Sequence, residues 1–200
     1  MTVLYTYFGQ KERIPQIIEQ ELKTMIVDDC SEIPLEPTEG VTVLRILDNI
    51  MWNQPGARNL GFQELSGWVI CADIDHLVTK EVYDELSKFD KKRGNVYYLG
   101  REDSNSHNIY LIHKEDFEMV GGYDEDFCGN YGYDDFHFLK KCNHFLTIVE
   151  LRHIKVKVYA KESSSQLTRN SDFNSRLFAS KGLNPTKRIR FNWEYVTPKQ

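Results

Sequence analysis

The stretch Trp68-Val69-Ile70-Cys71-Ala72-Asp73-Ile74-Asp75 decides how this chain is read. Five apolar residues in a row, short and without alternation, are the mark of a strand buried on both faces. Two carboxylates then end it. On an extended chain residues i and i+2 point the same way, so Asp73 and Asp75 can share one small volume, and His76 is expected to point away from Asp75. Carboxylates that close repel one another unless a cation stands beside them. A hard divalent ion with oxygen ligands, Mn²⁺ or Mg²⁺, is the natural occupant. Such an ion can bridge the oxygens of a nucleoside diphosphate and stabilise it as a leaving group. A strand end carrying two solvated acids is the plainer alternative.

Working outward, the segments before this stretch alternate in type. Thr2–Phe8 is β-branched and aromatic and reads as a strand. Ile14, Ile17, Ile18 and Leu22 recur at helical offsets, with Pro15 tolerable in a first turn. Thr24–Val27 is a second strand ending in Asp28-Asp29, and Val41–Leu47 a third. A helix from about Pro55 to Leu65 precedes the Trp68 strand, with Gly67 as its stop. Strand–helix–strand repetition with short connections implies an α/β fold, a mixed, mostly parallel sheet flanked by helices. In such sheets ligands bind beyond the carboxyl ends of the strands. Thr6 and Gln10, Asp28 and Asp29, and Asp73 and Asp75 all fall at those ends.

The second half is less regular. Thr79 is placed to cap a helix carrying Val82, Leu86 and Phe89. Val96–Leu99 and Ile109–Ile112 read as strands, with a polar loop over residues 101–108. After Gly121-Gly122 comes a turn rich in Gly, Asp and Tyr. A helix follows with Phe136 and Leu139 expected on its core side, then one or two strands over Leu146–Tyr159. Ser163–Ser165 reads as a connection to a basic tail.

The 200 residues carry 25 Lys+Arg against 30 Asp+Glu, a net charge of −5. With 11 Phe, 11 Tyr and 3 Trp the chain has too many apolar anchors for disorder. Its apolar runs fall short of the roughly 18 residues of a membrane span. The acidic total argues against a nucleic-acid partner. That total hides a split: residues 1–150 carry −13, and residues 151–200 carry +8. Cys30, Cys71, Cys128 and Cys142 form no C-x-x-C pair, and Met1 leads straight into a strand, so reduced thiols in a cytosol-like compartment are expected.

Three segments in order, Val27-Asp28-Asp29-Cys30-Ser31, Ala57-Arg58-Asn59-Leu60-Gly61 and Ala72-Asp73-Ile74-Asp75, resemble the signature of nucleotide-sugar glycosyltransferases of the GT-A fold, most closely the inverting family two. Phe117-Glu-Met-Val-Gly121-Gly122-Tyr123-Asp124-Glu125-Asp126-Phe127 resembles that family's G-G-[FY]-D-E turn. Tyr131-Gly132-Tyr133-Asp134-Asp135 stands where the family has an aromatic or Gly before Glu-Asp. The resemblance spans roughly residues 2–142, and the compact length is similar to minimal GT-A domains of bacteria and large DNA viruses such as chlorella viruses.

The resemblance implies a metal-dependent enzyme that transfers a sugar from a nucleoside-diphosphate sugar, a UDP-sugar such as UDP-glucose, to a hydroxyl of a carbohydrate or glycoprotein acceptor, with inversion. It places Thr6, Tyr7, Phe8, Asp28 and Asp29 at the uridine and Arg58 on the nucleotide. Asp73 falls at ribose or a bound water, Asp75 on the metal with Asp73 beside it, and Gly121 and Gly122 where backbone nears the sugar. Asp135 aligns with the general base, and Asp134, in place of the family's Glu, orients hydroxyls; the shorter side chain leaves the base open between the two. His153 is the candidate third metal ligand. Tyr131 and Tyr133 are candidates for stacking on acceptor sugars.

No Q-x-x-R-W sequence is present, which argues against a processive synthase and its membrane channel. The expected organisation is one catalytic domain over residues 1–162, with a nucleotide-binding half over 1–78 and an acceptor-side half over 79–162, and a basic tail over 163–200 packed on it. Arg169, Arg176, Lys181, Lys187, Arg188 and Arg190 make that tail a candidate lid over a diphosphate. The expected compartment is cytoplasmic, the host's if the source is viral, and one domain of a longer protein is a compatible reading. Two alternatives use the same residues. Asp73-x-Asp75 also resembles the nucleophile loop of haloacid-dehalogenase-like phosphatases, with Asp73 phosphorylated, although Leu77 departs from that pattern. The other is a non-catalytic module that binds nucleotide sugars or glycans.

Overall fold

The structure is a computed structural model, and it describes residues 1–37, 39–102, 107–159, 169–184, 186 and 188–197. Strands β1 (Thr2–Tyr7), β2 (Thr24–Asp28), β3 (Val41–Ile46) and β4 (Trp68–Asp73) pair in parallel in the order β4-β1-β2-β3. Beyond β4 lies β7 (Tyr110–His113), antiparallel to it and to β6 (Asn95–Arg101), and β6 runs parallel to β8 (Thr147–Val158). Two short antiparallel strands end the sheet, β5 (His76–Leu77) on β8 and β9 (Trp193–Tyr195) on β3. Among the described residues these nine strands form one mixed sheet.

Alternation along the strands sorts side chains into two buried layers. Val3, Tyr5 and Tyr7 of β1 face one layer with Ile26, Val43, Ile70 and Ala72. There they meet Ile14 and Ile17 of α1 (Ile14–Ile18) and Val82 and Leu86 of α3 (Lys80–Lys88). Leu4 faces the other layer with Val27, Val69 and Cys71, against Leu60 and Phe62 of α2 (Gln54–Glu64) and Phe117 of α4 (Lys114–Met119). Thr79 caps α3, its hydroxyl accepting from Val82 N at 3.4 Å. The unbroken apolar run of β4 follows from both its faces being buried.

One helix departs in part from its expected facing, since Leu139 packs on the core as expected and Phe136 does not. In α5 (Asp134–Phe145) the buried side chains are His137, Phe138, Lys141 and Cys142, while Phe136 is 57 % exposed. The helix meets the core one position later than Phe136, because its first turn is turned toward the strand ends by its two acids.

β8 breaks register once. Leu99 pairs with Leu151 but Gly100 pairs with Lys155, so residues 152–154 bulge out of the ladder. Gly100 makes the bulge possible, since a Cβ there would collide with the Arg152 carbonyl oxygen. Arg152 Nη1 also donates to Leu99 O at 2.8 Å.

The C-terminal segment is built into this body through α6 (Asp172–Ser180) and β9. Lys181 pairs with Asp124 at 3.1 Å and with Asp126, Arg190 with Asp126 at 2.6 Å, and Arg188 with Glu118. These cations tie down a turn of the acidic body, so the expected lid is corrected to a strap. Lys187 and Ser163–Ser165 lie outside the described residues. No helix among the described residues is long and apolar enough to cross a membrane.

Gly100→Ala is expected to cost about 1–3 kcal/mol, measured by urea unfolding, because backbone rather than a flexible side chain stands in the way.

Candidate active site

The carboxyl ends of β1, β2 and β4 open into a cavity of about 640 Å³, where the chain leaves β1 for β2 on one side and later returns to β4 on the other. Backbone bonds extend the ladder past the strands: Asp29 N donates to Tyr7 O at 2.9 Å and Ile74 N to Thr6 O at 3.2 Å. Thr6, Tyr7, Phe8, Asp29, Asp73, Asp75, Asp134 and Asp135 reach the wall of this cavity. Asp28, Arg58, Gly121, Gly122 and His153 do not.

Arg58 is the centre of the acid cluster. It is fully buried on α2. Its Nη2 donates to Asp73 Oδ1 at 2.7 Å and its Nη1 to Asp135 Oδ1 at 2.5 Å, with Asp134 Oδ2 at 3.8 Å. The guanidinium lies over the Tyr123 ring, 4.8 Å from its centroid, and Tyr123 OH donates to Asp135 Oδ1 at 3.2 Å. Asn59, next on the helix, brackets Tyr123 by accepting from its N–H at 2.8 Å and donating to its carbonyl at 3.0 Å. The Ala-Arg-Asn segment thus joins the strand ends to the acids of α5.

Asp73 is saturated. Besides Arg58, its Oδ1 accepts from Gln54 Nε2 and from Thr6 Oγ1 at 3.4 Å, and its Oδ2 accepts from Asn108 Nδ2 at 2.9 Å. Burial alone would raise its pKa, but Arg58 and these donors hold it below the ordinary carboxylate value. Asp134 is the opposite case. Burial and the neighbouring Asp135 push it up to about 7, and its Oδ2 has no hydrogen-bond partner. Asp135 is raised as well, by burial first, with Arg58 opposing. Asp29 also rises to about 7 through burial, against a bond from Asn53 Nδ2 at 2.9 Å.

Asp73, Asp75 and His76 bring a ligand atom each within 4.8 Å of one another. His76 is fully buried and stands 2.5 Å from Asp75, Nδ1 to Oδ1, yet neither ring nitrogen nor that carboxylate oxygen has a hydrogen-bond partner. Orphaned buried polar atoms are rare, and Asp75 Oδ1 with one ring nitrogen of His76, beside an oxygen of Asp73, fits a divalent cation. His76 was expected to face away; residues 74 and 75 form a turn instead of extended chain, which turns it toward Asp75. His153, the expected third ligand, is exposed within the β8 bulge and takes no part in the group.

The other expected residues outside the cavity have structural partners. Asp28 is fully buried and accepts from Ser31 N, Leu35 N and Arg45 Nη1, at 2.9, 3.0 and 2.6 Å. Gly121 and Gly122 both have positive φ. A Cβ on Gly122 would press on Asn59 and Arg188, so this turn serves packing against α2. Gln54, Asn108, Tyr123 and His76 were not singled out as functional by sequence. Gln54 carried a signal, since it opens the helix that bears Arg58, and Tyr123 carried one as the aromatic of the G-G-[FY]-D-E turn. Asn108 carried none, because it arrives from a distant segment.

The chain has the same shape as several solved transferases. The catalytic domain of Drosophila β1,4-galactosyltransferase 7, in complex with xylobiose, superposes with a TM-score of 0.66 at 15 % identity over 94 % of this chain and 82 % of that one. S. aureus TarS, in complex with UDP-GlcNAc, gives 0.65 at 14 % over 84 % of this chain and 61 % of that one. The Pyrobaculum calidifontis mannosyltransferase PcManGT, in complex with GDP-Man and Mn²⁺, gives 0.62 at 14 % over 82 % of this chain and 57 % of that one. This is the GT-A fold. No protein-family model and no curated protein sequence matches the chain. It spans less than two thirds of the length of the mannosyltransferase and of TarS.

Arg58→Met is expected to destabilise the GT-A body by about 3–5 kcal/mol at pH 7, since it strands buried carboxylates. The stability that Arg58 lends through Asp73 is present above the unfolded carboxylate pKa and is lost as pH falls through the depressed folded one. Protonation of Asp134 and Asp135 relieves the variant further in acid. Urea unfolding at pH 7 and pH 3 should therefore show the gap closing in acid.

Proposed function

We propose that the protein is a metal-dependent glycosyltransferase that moves a sugar from a nucleoside-diphosphate sugar, with UDP favoured, to a hydroxyl of a carbohydrate or glycoprotein acceptor, with inversion. The observation that carries this reading is one cavity in the GT-A fold whose wall holds Asp73 and Asp75, backed by the buried His76 of the same cation-competent group, together with the Asp134–Asp135 pair. Asp75 and His76 would hold the metal, with Asp73 beside them. When bound, Mn²⁺ or Mg²⁺ supplies positive charge for a departing diphosphate. The complexes of PcManGT with GDP-Man and Mn²⁺ and of TarS with UDP-GlcNAc support a nucleotide-sugar donor and a metal.

The chain's own residues do the rest. Phe8, 41 % exposed at the end of β1, and Asp29 across from it suit the face and edge of a base. A raised carboxylate at the start of α5 takes the proton from the acceptor hydroxyl as its oxygen attacks the anomeric carbon. Asp135 stood first for that role by resemblance. Asp134, whose Oδ2 has no hydrogen-bond partner although Arg58 lies 3.8 Å away, is the other candidate, because Arg58 and Tyr123 already hold Asp135. Nothing in the fold or its structural neighbours favours the phosphatase alternative, since the matched structures are glycosyltransferases.

UDP is expected to raise Tm only with Mn²⁺ or Mg²⁺ present; no shift, or an equal shift with chelator, overturns the metal-dependent reading. Asp134→Asn should lower kcat at least ~100-fold while leaving donor affinity within twofold. Asp135→Asn, which also unbalances Arg58, should lower Tm as well. Because a base must be deprotonated, kcat of the wild-type protein should rise with pH and level off above about 7.

A further inference from the structure

Asn174 is the one buried residue of α6 among those described, fully enclosed although its helix lies on the surface. Its amide nitrogen donates to three carbonyls of a single loop: Phe127 O at 3.0 Å, Asn130 O at 2.8 Å and Gly132 O at 2.8 Å. An amide has two hydrogens, so three acceptors share them and the oxygens are gathered round one point. The loop lies between the 3₁₀ turn Glu125–Phe127 and α5, and it carries Tyr131 and Tyr133 up to the Asp134–Asp135 pair.

The backbone of this loop is unusual. Gly129, Gly132 and Tyr133 have φ of +90°, +83° and +66°. Tyr133 pays the steric penalty of the left-handed region and persists there only if its surroundings over-determine it. It also stands at the N-cap of α5 without a side-chain cap, so the helix starts where the loop places it. On the far side, Gly129 N donates to Met51 O at 2.7 Å and Trp52 packs on Tyr131 at 4.7 Å. That segment leads into Asn53 and Gln54, which bond Asp29 and Asp73. Asn174 therefore holds from behind a loop whose front edge is the wall of the cavity.

We propose that Asn174 is a positioning residue for the transfer reaction: through the loop over residues 127–133, it sets the Asp134–Asp135 pair relative to Arg58 and Asp73. The proposal rests on the functional reading above. Asn174 touches no substrate. Its direct hydrogen bonds reach only the loop that leads into the acids. The metal group and the base-facing residues sit on β1, β4 and the segments after β2 and β4, and are linked to the loop only at one remove, through Met51 and Trp52. A carboxylate displaced by about 1 Å can cost on the order of 100-fold in rate.

The test uses the full chain with Asn174→Ala and Asn174→Asp, the second keeping the shape and removing the donors. Hydrogen exchange read by mass spectrometry should speed up over residues 128–135 and stay unchanged in β1, β2 and β4. Affinity for UDP with Mn²⁺ should stay within twofold, while kcat for transfer falls about 10- to 100-fold. Unchanged exchange in the loop overturns the proposal whatever the activity. A kcat within twofold of wild type overturns it too, as does loss of UDP binding in step with transfer, which would mark a merely structural role. If the wild-type protein neither binds UDP with Mn²⁺ nor transfers sugar, the functional reading falls, and the exchange measurement still decides whether Asn174 orders the loop.

Discussion

A single buried guanidinium sets the terms for this structure. Arg58 has no exposure to solvent and faces Asp73, Asp134 and Asp135, three acids against one base. The acids are only partly exposed at the cavity wall, so water compensates the excess incompletely and protons or a second cation meet the rest. The response by protons is visible in the acids themselves. Asp134 and Asp135 are pushed toward holding a proton, whereas Asp73 stays ionised at the point where Arg58, Gln54 and Asn108 converge. Asp75 and His76 each bring a ligand atom within 4.8 Å of Asp73. Asp73 is therefore the link between the charge of Arg58 and any charge held at Asp75 and His76.

Much of this frame is legible in the sequence because the parallel half is built from local signals. β1 through β4 each announce themselves by composition, and their ends carry the acids. The irregular half is harder, since its placement depends on pairs far apart in sequence. The β8 bulge follows from Gly100 meeting Arg152, and no periodicity in residues 146–159 reveals it. That bulge is why His153 faces solvent. His76 was misjudged for a different reason: alternation holds only while a chain stays extended, and here it turns at Ile74. Arg58 was found in the right motif and expected at the nucleotide, but a sequence does not tell a side chain aimed at a ligand from one aimed at its own acids. Asp28 is the same lesson, a carboxylate at a strand end consumed by Arg45 and two backbone amides.

The charge division between the first 150 residues and the last 50 also has a structural account. The cations of the C-terminal segment meet Glu118, Asp124 and Asp126, and Glu125 accepts from the backbone of Ile189 and Arg190 at 2.7 and 3.2 Å while also holding Asn59 at 2.8 Å. The acidic turn is thus wedged between α2 and the strap. Arg169 is the exception, reaching the cavity wall over Tyr131 at 5.8 Å.

The two ends of the sheet carry a consequence of their own. A long bare strand at an edge is a template on which another chain can add itself. Here the outermost strands are β5, two residues long, and β9, three residues long. β9 covers Leu44 to Ile46 of β3, which would otherwise present an apolar edge from the parallel core. The same C-terminal segment that braces the cavity therefore also covers the β3 edge against strand-to-strand pairing, whereas at the other end β5 covers only Lys157 and Val158 of β8.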